Sequence, residues 1–550
     1  MRSCATSPKS EAQQATYKTG GKKIFDYIVV GGGSGGAVVA SRLTEDPKIQ
    51  VCLLEAGGPD KSILIHAPIG IAAMLPRKFN NWAYQTVPQP GLKGRKGYQP
   101  RGKTLGGSSS INAMLYVRGH PNDYDDWAAM GNSGWAFNDV LPYFKKAENN
   151  ERGPDDFHGT GGPLNVAELR SNMPIGDVFM DAAMQVQMPT TQDFNGETQE
   201  GLGAYQVTQK NGERWSAAKG YLTPNLNRPN LHIITHARAS KILMEGKKAV
   251  GIAYIKDGKA VEIRAEKEII LAGGAFATPQ LLLLSGIGPA EEIKKHRIEV
   301  VHELPGVGRN LQDHIDYVVS HKSSSRETLG ISFSTVVNLT RGIFEWRKKR
   351  TGIISSPLAE RGGFLKTDPN LARPDIQLHF VIGIVDDHAR KMHLGYGYSC
   401  HVCVLRPKSR GHVGLNNDDP LEAPLIDPNF LSEREDVETL IKGVKMTQKI
   451  LDAPAFDPYR GRPLYPVDMA SDDAIEDAVR SRADTVYHPV GTCKMGTDPM
   501  AVVDPELKVH GVDGLRIADA SIMPTVIGGN TNAPTIMIGE KAADMIRAAR

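Results

Sequence analysis

The stretch KIFDYIVVGGGSGGAVVASRLTEDPKIQVCLLEAGG, residues 23–58, constrains the fold more than any other part of the chain. Ile24 to Val30 is an apolar, β-branched run suited to a strand buried on both faces. Gly31, Gly33 and Gly36 follow as G-x-G-x-x-G, with Ser34 inside the loop. The small residues GAVVASRL continue as a helix, and Gln50 to Leu54 reads as a second strand ending in Glu55. Each part has a physical task. Gly31 permits the tight turn, Gly33 lets the backbone approach a pyrophosphate, and Gly36 lets helix and strand pack closely. The free N–H groups and positive dipole end of the helix attract the phosphates, and Glu55 accepts the ribose hydroxyls. Strand, turn, helix, strand and acid in this order predict a parallel α/β dinucleotide site. They do not separate FAD from NAD, although no Arg follows Glu55 to suggest NADP.

A chain of 550 residues exceeds what one core sustains, so two domains are expected. The net charge of +3 implies no acidic partner. No basic run argues for nucleic acid, and WRKKR at 346–350 reads as a solvated helix face. Five Cys, odd and sparse, argue against a disulfide framework. Cys400 and Cys403 sit in a strand-like run, where positions three apart point to opposite faces, so they read as structural. No regular cluster of metal ligands appears. Residues 1–22 are polar without an apolar signal region, and a disordered tail is expected. No apolar run approaches about 18 residues, so no integral membrane segment is expected. A cytoplasmic location follows by default, with peripheral contact to the inner membrane left open.

Further along, PRGKTLGGSSSINAMLYVRG (100–119) holds Gly106, Gly107 and Asn112 in a segment poor for strand or helix, fit to wrap a cofactor. In EKEIILAGGAFATPQLLLLSGIGP (266–289) a strand Glu268 to Leu271 precedes a Gly turn, and Thr278-Pro279 reads as a helix start. Near the C-terminus, Leu515 to Ala518 reads as a strand ending in Asp519. Pro534 opens an amphipathic helix and leaves Asn532 at its N-terminus, as a cap, a catalyst or both. Between 320 and 480, alternating segments such as PDIQLHFVIGI and YSCHVCVLRP, with the helical stretch 433–451, predict an antiparallel sheet with helices. The fold class is thus α/β, a Rossmann-like domain plus an α+β substrate domain. The division expected is 23–155, 200–318 and 482–550 for the nucleotide domain, and 156–199 with 319–481 for the other.

The glycine-rich front with Glu55, GKTLGGSSSINAMLYVRG, GAFATPQLLLLSGIGP, and YHPVGTCKMG with GNTNAPTIMIGEKAADMI stand in fixed order over about residues 24 to 547. This arrangement resembles the glucose–methanol–choline (GMC) family of FAD oxidoreductases, most closely its choline and aliphatic alcohol dehydrogenase branch. The resemblance implies FAD and a primary alcohol oxidised to the aldehyde, with quinone or O₂ as electron acceptor. It implies His488 as the base facing the flavin, with Asn532 as its partner. Members that attach FAD covalently carry a His where this chain has Ile111, so FAD is expected to be non-covalent. The fatty-acid photodecarboxylases share the fold but lack the His and the second Asn, and carry a Cys where Ala359 precedes Glu360. A lyase or decarboxylase is therefore the alternative. Glu360 resembles the position where choline-oxidising members place an acid near the substrate ammonium, and its other reading is a pair with Arg361 or another cation at the domain boundary.

In chemical terms, His has the pKa to take the hydroxyl proton near neutrality, and an Asn amide can hold the developing alkoxide.

Overall fold

The computed structural model describes residues 23–171 and 173–549. The expected tail 1–22 lies outside them.

The apolar run after residue 22 forms the strand Lys23–Val30, which sits at the centre of a seven-stranded sheet. On one side it pairs in parallel with Val51–Leu54, and that strand with Leu231–Ile234. On the other it pairs in parallel with the 13-residue strand Lys259–Leu271. The first half of that long strand also pairs antiparallel with Lys248–Lys256, and its last three residues pair in parallel with Leu515–Ile517. Register brings Val30, Leu54, Leu271 and Ile517 level. Gly31, Glu55, Ala272 and Asp519 therefore follow the strands onto one rim, the carboxyl edge where open α/β sheets bind ligands.

The helix Ser34–Leu43 packs against Asn532–Ala548, and both are buried along most of their length. The latter is not the amphipathic helix read from the sequence. It buries even Glu540, held by Arg42 at 2.8 Å and by the Tyr221 hydroxyl at 2.7 Å.

The helix expected to start at Thr278 begins four residues earlier and spans Gly274–Leu284, with Pro279 inside it. Proline cannot donate to the carbonyl of Ala275. The hydroxyl of Thr492, in the GTCKMG segment, donates to that carbonyl instead at 2.7 Å. Thr492→Val should leave the carbonyl buried and unpaired, at a cost of about 1–2 kcal/mol. A lowered midpoint in thermal melts of the FAD-loaded protein would show it; an unchanged midpoint would mean that the vacated carbonyl finds another donor.

The second sheet runs in the order Asp484–Thr485, Ile315–Ser323, Gly395–Val404, Ile376–Val381, Ala359–Leu365, Gly201–Ala204, with antiparallel pairing throughout. The helix Arg434–Leu451 covers one face. Alternation sorts the strand Ile376–Val381: Ile376, Leu378 and Phe380 join the core under that helix, and Gln377, His379 and Val381 point the other way. Cys400 and Cys403 likewise fall into different hydrophobic clusters on opposite faces, and burial raises both thiol pKa values. One boundary moves. Gly201–Ala204, assigned from sequence to the nucleotide half, hydrogen-bonds to Ala359–Leu365 in this second sheet. The residues GLGA carry no alternation, so their strand is set by main-chain pairing alone. Among the described residues no helix is long and apolar enough to cross a membrane.

Candidate active site

A cavity of about 430 Å³ runs from the rim of the first sheet to the open face of the second. At one end Gly31, Gly33, Ser34 and Glu55 line it, and at the other Ala359, His379, Val381 and His488.

At the nucleotide end, Gly31 has φ +108°, and a Cβ there would lie 2.4 Å from the carbonyl oxygen of Ala272, so only glycine fits. No side chain caps the helix Ser34–Leu43, which leaves its first N–H groups facing the cavity. Gly107, at φ +53°, lies so close to the dinucleotide loop that its Cβ would come within 2.8 Å of Gly33 Cα. Two backbones with no side chains between them leave a channel fit for a pyrophosphate. Gly36 and Gly106 do not line the cavity. Gly36 packs helix on strand, and Gly106 donates its N–H to the Gly32 carbonyl at 2.7 Å.

Glu55 is buried. Its two oxygens accept the N–H groups of Gly32 (2.9 Å) and Gly57 (2.7 Å). Burial pushes its carboxyl up to about 7, against the pull of those amides and of Lys103 and Arg238. Asp519 lines the cavity with both oxygens engaged: Oδ2 accepts from Gly274 N–H (2.8 Å) and Thr278 Oγ1 (2.6 Å), and Oδ1 from Ser521 N–H (2.8 Å). It ties two rim loops together. Asn112 accepts from Arg214 at 2.8 Å and lines the same cavity.

At the other end, the structure separates the pair expected from sequence. Asn532 is the first residue of its helix, its side chain does not cap, and its Oδ1 accepts the Ser34 hydroxyl at 2.8 Å. The amide on His488 belongs to Asn530, whose Nδ2 donates to His488 Nε2 at 3.1 Å. Two residues further back, the loop before the helix turns Asn530 toward the histidine, and nothing in N-x-N spacing announces which Asn does so. Gln377 fixes that amide's orientation by donating to Asn530 Oδ1 at 3.0 Å.

The hydrogen-bond network also assigns the ring protons. The Leu405 carbonyl accepts from His314 Nε2 (3.1 Å), so His314 Nδ1 is an acceptor. It accepts His488 Nδ1–H at 2.9 Å, which leaves His488 Nε2 unprotonated toward Asn530. Burial, then the neighbouring His314, His379 and Arg101, hold the His488 pKa well below 6.5, and burial takes His314 down to about 4. His488 is thus a neutral imidazole with its lone pair on Nε2. Its main chain is pinned too: Asp313 accepts the His488 N–H at 2.8 Å. Tyr487 before it adopts φ +79°, a region that non-glycine residues rarely occupy.

Sequence reading missed His314, Gln377 and His379. His379 is buried on the cavity wall with no partner for either ring nitrogen among the described residues, and burial takes it down to about 3. The signal was available: in IQLHFV the polar residues fall on alternate positions of a strand that is buried on both faces. Glu360 is a correction. Ala359 lines the cavity and Glu360 does not. The register shifts between Ala359 and Arg361, and the Glu360 carboxylate turns away to accept the Ser356 hydroxyl at 2.6 Å. Nor does it pair with Arg361, whose guanidinium holds Asp177 at 3.0 Å.

The description GMC oxidoreductase matches residues 25–316 and 407–539 of the chain. Over 95% of its length the chain is 49% identical to an alcohol dehydrogenase [acceptor] of Pseudomonas putida, covering 96% of that protein. It is 45% identical to the mitochondrial choline dehydrogenase of Homo sapiens, over 95% of this chain and 90% of that one. Among solved structures it resembles pyridoxine 4-oxidase from Mesorbium loti at 29% identity and TM-score 0.86, over 95% of this chain and 99% of that one. Formate oxidase of Aspergillus oryzae superposes with TM-score 0.89 at 27% identity, over 96% and 99% of the two chains. The chain belongs to the GMC oxidoreductase family.

Proposed function

We propose that the protein oxidises an uncharged primary aliphatic alcohol to the aldehyde with bound FAD, using His488 as base. The observation that carries this reading is the neutral His488, its Nε2 lone pair directed at Asn530 on the wall of an apolar chamber. The dinucleotide loop, the uncapped helix and Glu55 would hold FAD, with Asn112 and Asn532 along its course. Ile111 stands where a covalent link would need a His. FAD supplies the hydride acceptor.

The protein's own residues do the rest. His488 Nε2 takes the hydroxyl proton, and the Nδ1–H bond to His314 keeps that lone pair facing outward. Asn530 Nδ2 then donates to the alkoxide-like oxygen rather than to the imidazole. The N-terminus of Asn532–Ala548 lines the cavity and favours negative charge there. No decarboxylase reading is favoured by any observation of the site.

Among the described residues lining the cavity the only carboxylates are Glu55 and Asp519, both at the nucleotide end. The chamber around Leu329, Leu358, Ala359, Val381 and Ile384 offers apolar surface and no anion for a quaternary ammonium. This favours an alkanol over choline. Glu360→Gln is expected to change the kcat/KM ratio between a medium-chain 1-alkanol and choline by less than about twofold, since the carboxyl turns away from the cavity to accept the Ser356 hydroxyl and burial raises its pKa toward the uncharged form. A collapse of choline turnover alone would restore Glu360 to the substrate site. The reading as a whole is tested by mixing the oxygen-free, FAD-loaded protein with alkanols, choline and polyols. Bleaching by alkanols supports it, and a flavin that no alcohol bleaches counts against it. The likeness to an alcohol dehydrogenase [acceptor] supports a separate electron acceptor, for which we propose a quinone, with the protein in the cytoplasm at the periphery of a membrane.

A further inference from the structure

The helix Phe333–Lys349 is anchored on one side only. Trp346 is buried and donates to the Gly212 carbonyl at 2.7 Å, and Ser332 at its start bonds the Tyr396 hydroxyl at 2.6 Å. The opposite side is apolar and uncovered. Phe333 is 85% exposed, Val336 61%, Ile343 46% and Phe344 69%. At 100° per residue these four fall within one stripe about 100° wide. Ile331 bridges to Leu394, which is 80% exposed, and Met392 nearby is 78% exposed. Scattered exposed apolar side chains need no explanation, but a contiguous group of this kind marks an interaction surface.

The charges around it identify the occupant. Arg341, Arg347, Lys348 and Lys349 are exposed, and none of them forms an ion pair among the described residues. The helix's one acid, Glu345, is engaged by Thr351 at 3.0 Å. By the same count Arg341 and Lys348 fall on one flank of the stripe, Arg347 within its last turn and Lys349 toward the anchored side, and an apolar surface with unpaired cations in and beside its C-terminal end fits a lipid surface with anionic headgroups. A second copy docking on this face would bring the same cations and only the engaged Glu345 from this helix, so it offers them no free acid to pair with. Continuity with the cavity adds a reason. Leu329, on the cavity wall, leads directly into Gly330–Ile331, and the loop that lines the cavity with Ile384 and Ala389 continues to Met392 and Leu394.

The geometry points to the outward face of Phe333–Lys349, with Met392 and Leu394, as the surface by which this protein rests on an anionic bilayer, its chamber opening beside the lipid. This deepens the membrane-periphery placement proposed above; it does not depend on which alcohol is oxidised.

The test floats the FAD-loaded protein with vesicles of phosphatidylcholine containing phosphatidylglycerol. The wild type is expected to float with them, and less with pure phosphatidylcholine or in high salt. Phe333→Asp with Phe344→Asp should lower the bound fraction about tenfold or more. Arg347→Glu with Lys348→Glu should also lower it about tenfold and remove the salt dependence. Both variants should keep wild-type flavin reduction by a soluble alcohol. A wild type that stays unbound, or a Phe333/Phe344 variant that floats as well as wild type, overturns the proposal. So does light scattering that shows a dimer which these substitutions split. Floating without alcohol-dependent reduction would sink the alcohol reading and leave this surface standing.

Discussion

His488→Ala is expected to keep FAD bound and to slow flavin reduction by alcohol about 10²–10⁴-fold, the usual contribution of a positioned general base. Retention follows from where the side chain sits. Its hydrogen bonds go to His314 and Asn530, and the groups that would hold the dinucleotide, Gly33, Glu55 and the uncapped helix, lie at the other end of the cavity. The loss follows from chemistry: without Nε2 the hydroxyl proton has no acceptor, while Asn530 can still donate to the oxygen. Anaerobic stopped-flow measures the rate, and the visible spectrum of the purified variant reports occupancy. A pH profile supplies a second signature. Protonation of His488 removes the base, and its pKa is held well below 6.5. Flavin reduction by the wild type should therefore be flat from pH 6.5 upward and fall only on the acid side of that value. A limb centred between pH 7 and 8 would assign the proton transfer to another group, and a His488→Ala variant reduced at the wild-type rate would end the assignment altogether.

The nucleotide half was legible because its demands are local. A strand, a glycine turn and a helix N-terminus are contiguous in sequence, and Gly31 and Gly36 each answer a steric requirement from a backbone a few residues away or one strand over. The catalytic end was legible only in part. His488 stood out by residue type in its motif. Its partner depended on how one loop turns before Asn532–Ala548, and spacing could not distinguish Asn530 from Asn532. His314 is 174 residues away in sequence from His488, and only the sheet brings them to 2.9 Å. Glu360 was misplaced for a related reason. In a regular strand its neighbours predict its face, but the register shift beside it is visible only once the pairing with Ile376–Val381 is known. Thr492 belongs to the same class, since its task is set by Pro279 on another element.

Glu55→Ala is expected to weaken FAD binding about 10–10²-fold. A carboxylate that accepts hydroxyl hydrogen bonds contributes about 1.5–3 kcal/mol, and each 1.4 kcal/mol is tenfold in affinity. The substitution has a second cost that does not involve the ligand. It strips the Gly32 and Gly57 N–H groups of their acceptors inside a buried turn, which loosens the loop that must present its amides to the pyrophosphate. Glu55→Gln separates the two effects. It keeps the volume and one carbonyl acceptor, but its NH₂ must face one of those two N–H donors, so an intermediate loss is expected. The pH dependence carries the sharper signature. The ionised carboxyl is the better acceptor for the ribose hydroxyls, and burial holds its pKa at about 7 before they arrive. FAD affinity of the wild-type apoprotein should therefore rise as pH increases toward 7 and level off above it, and this slope should vanish in Glu55→Gln. Titrating FAD fluorescence quenching at several pH values measures both. Equal affinities for wild type and Glu55→Ala would end both roles, because neither a group that touches the ribose nor one that holds the phosphate-binding loop can be removed without a change in the binding constant.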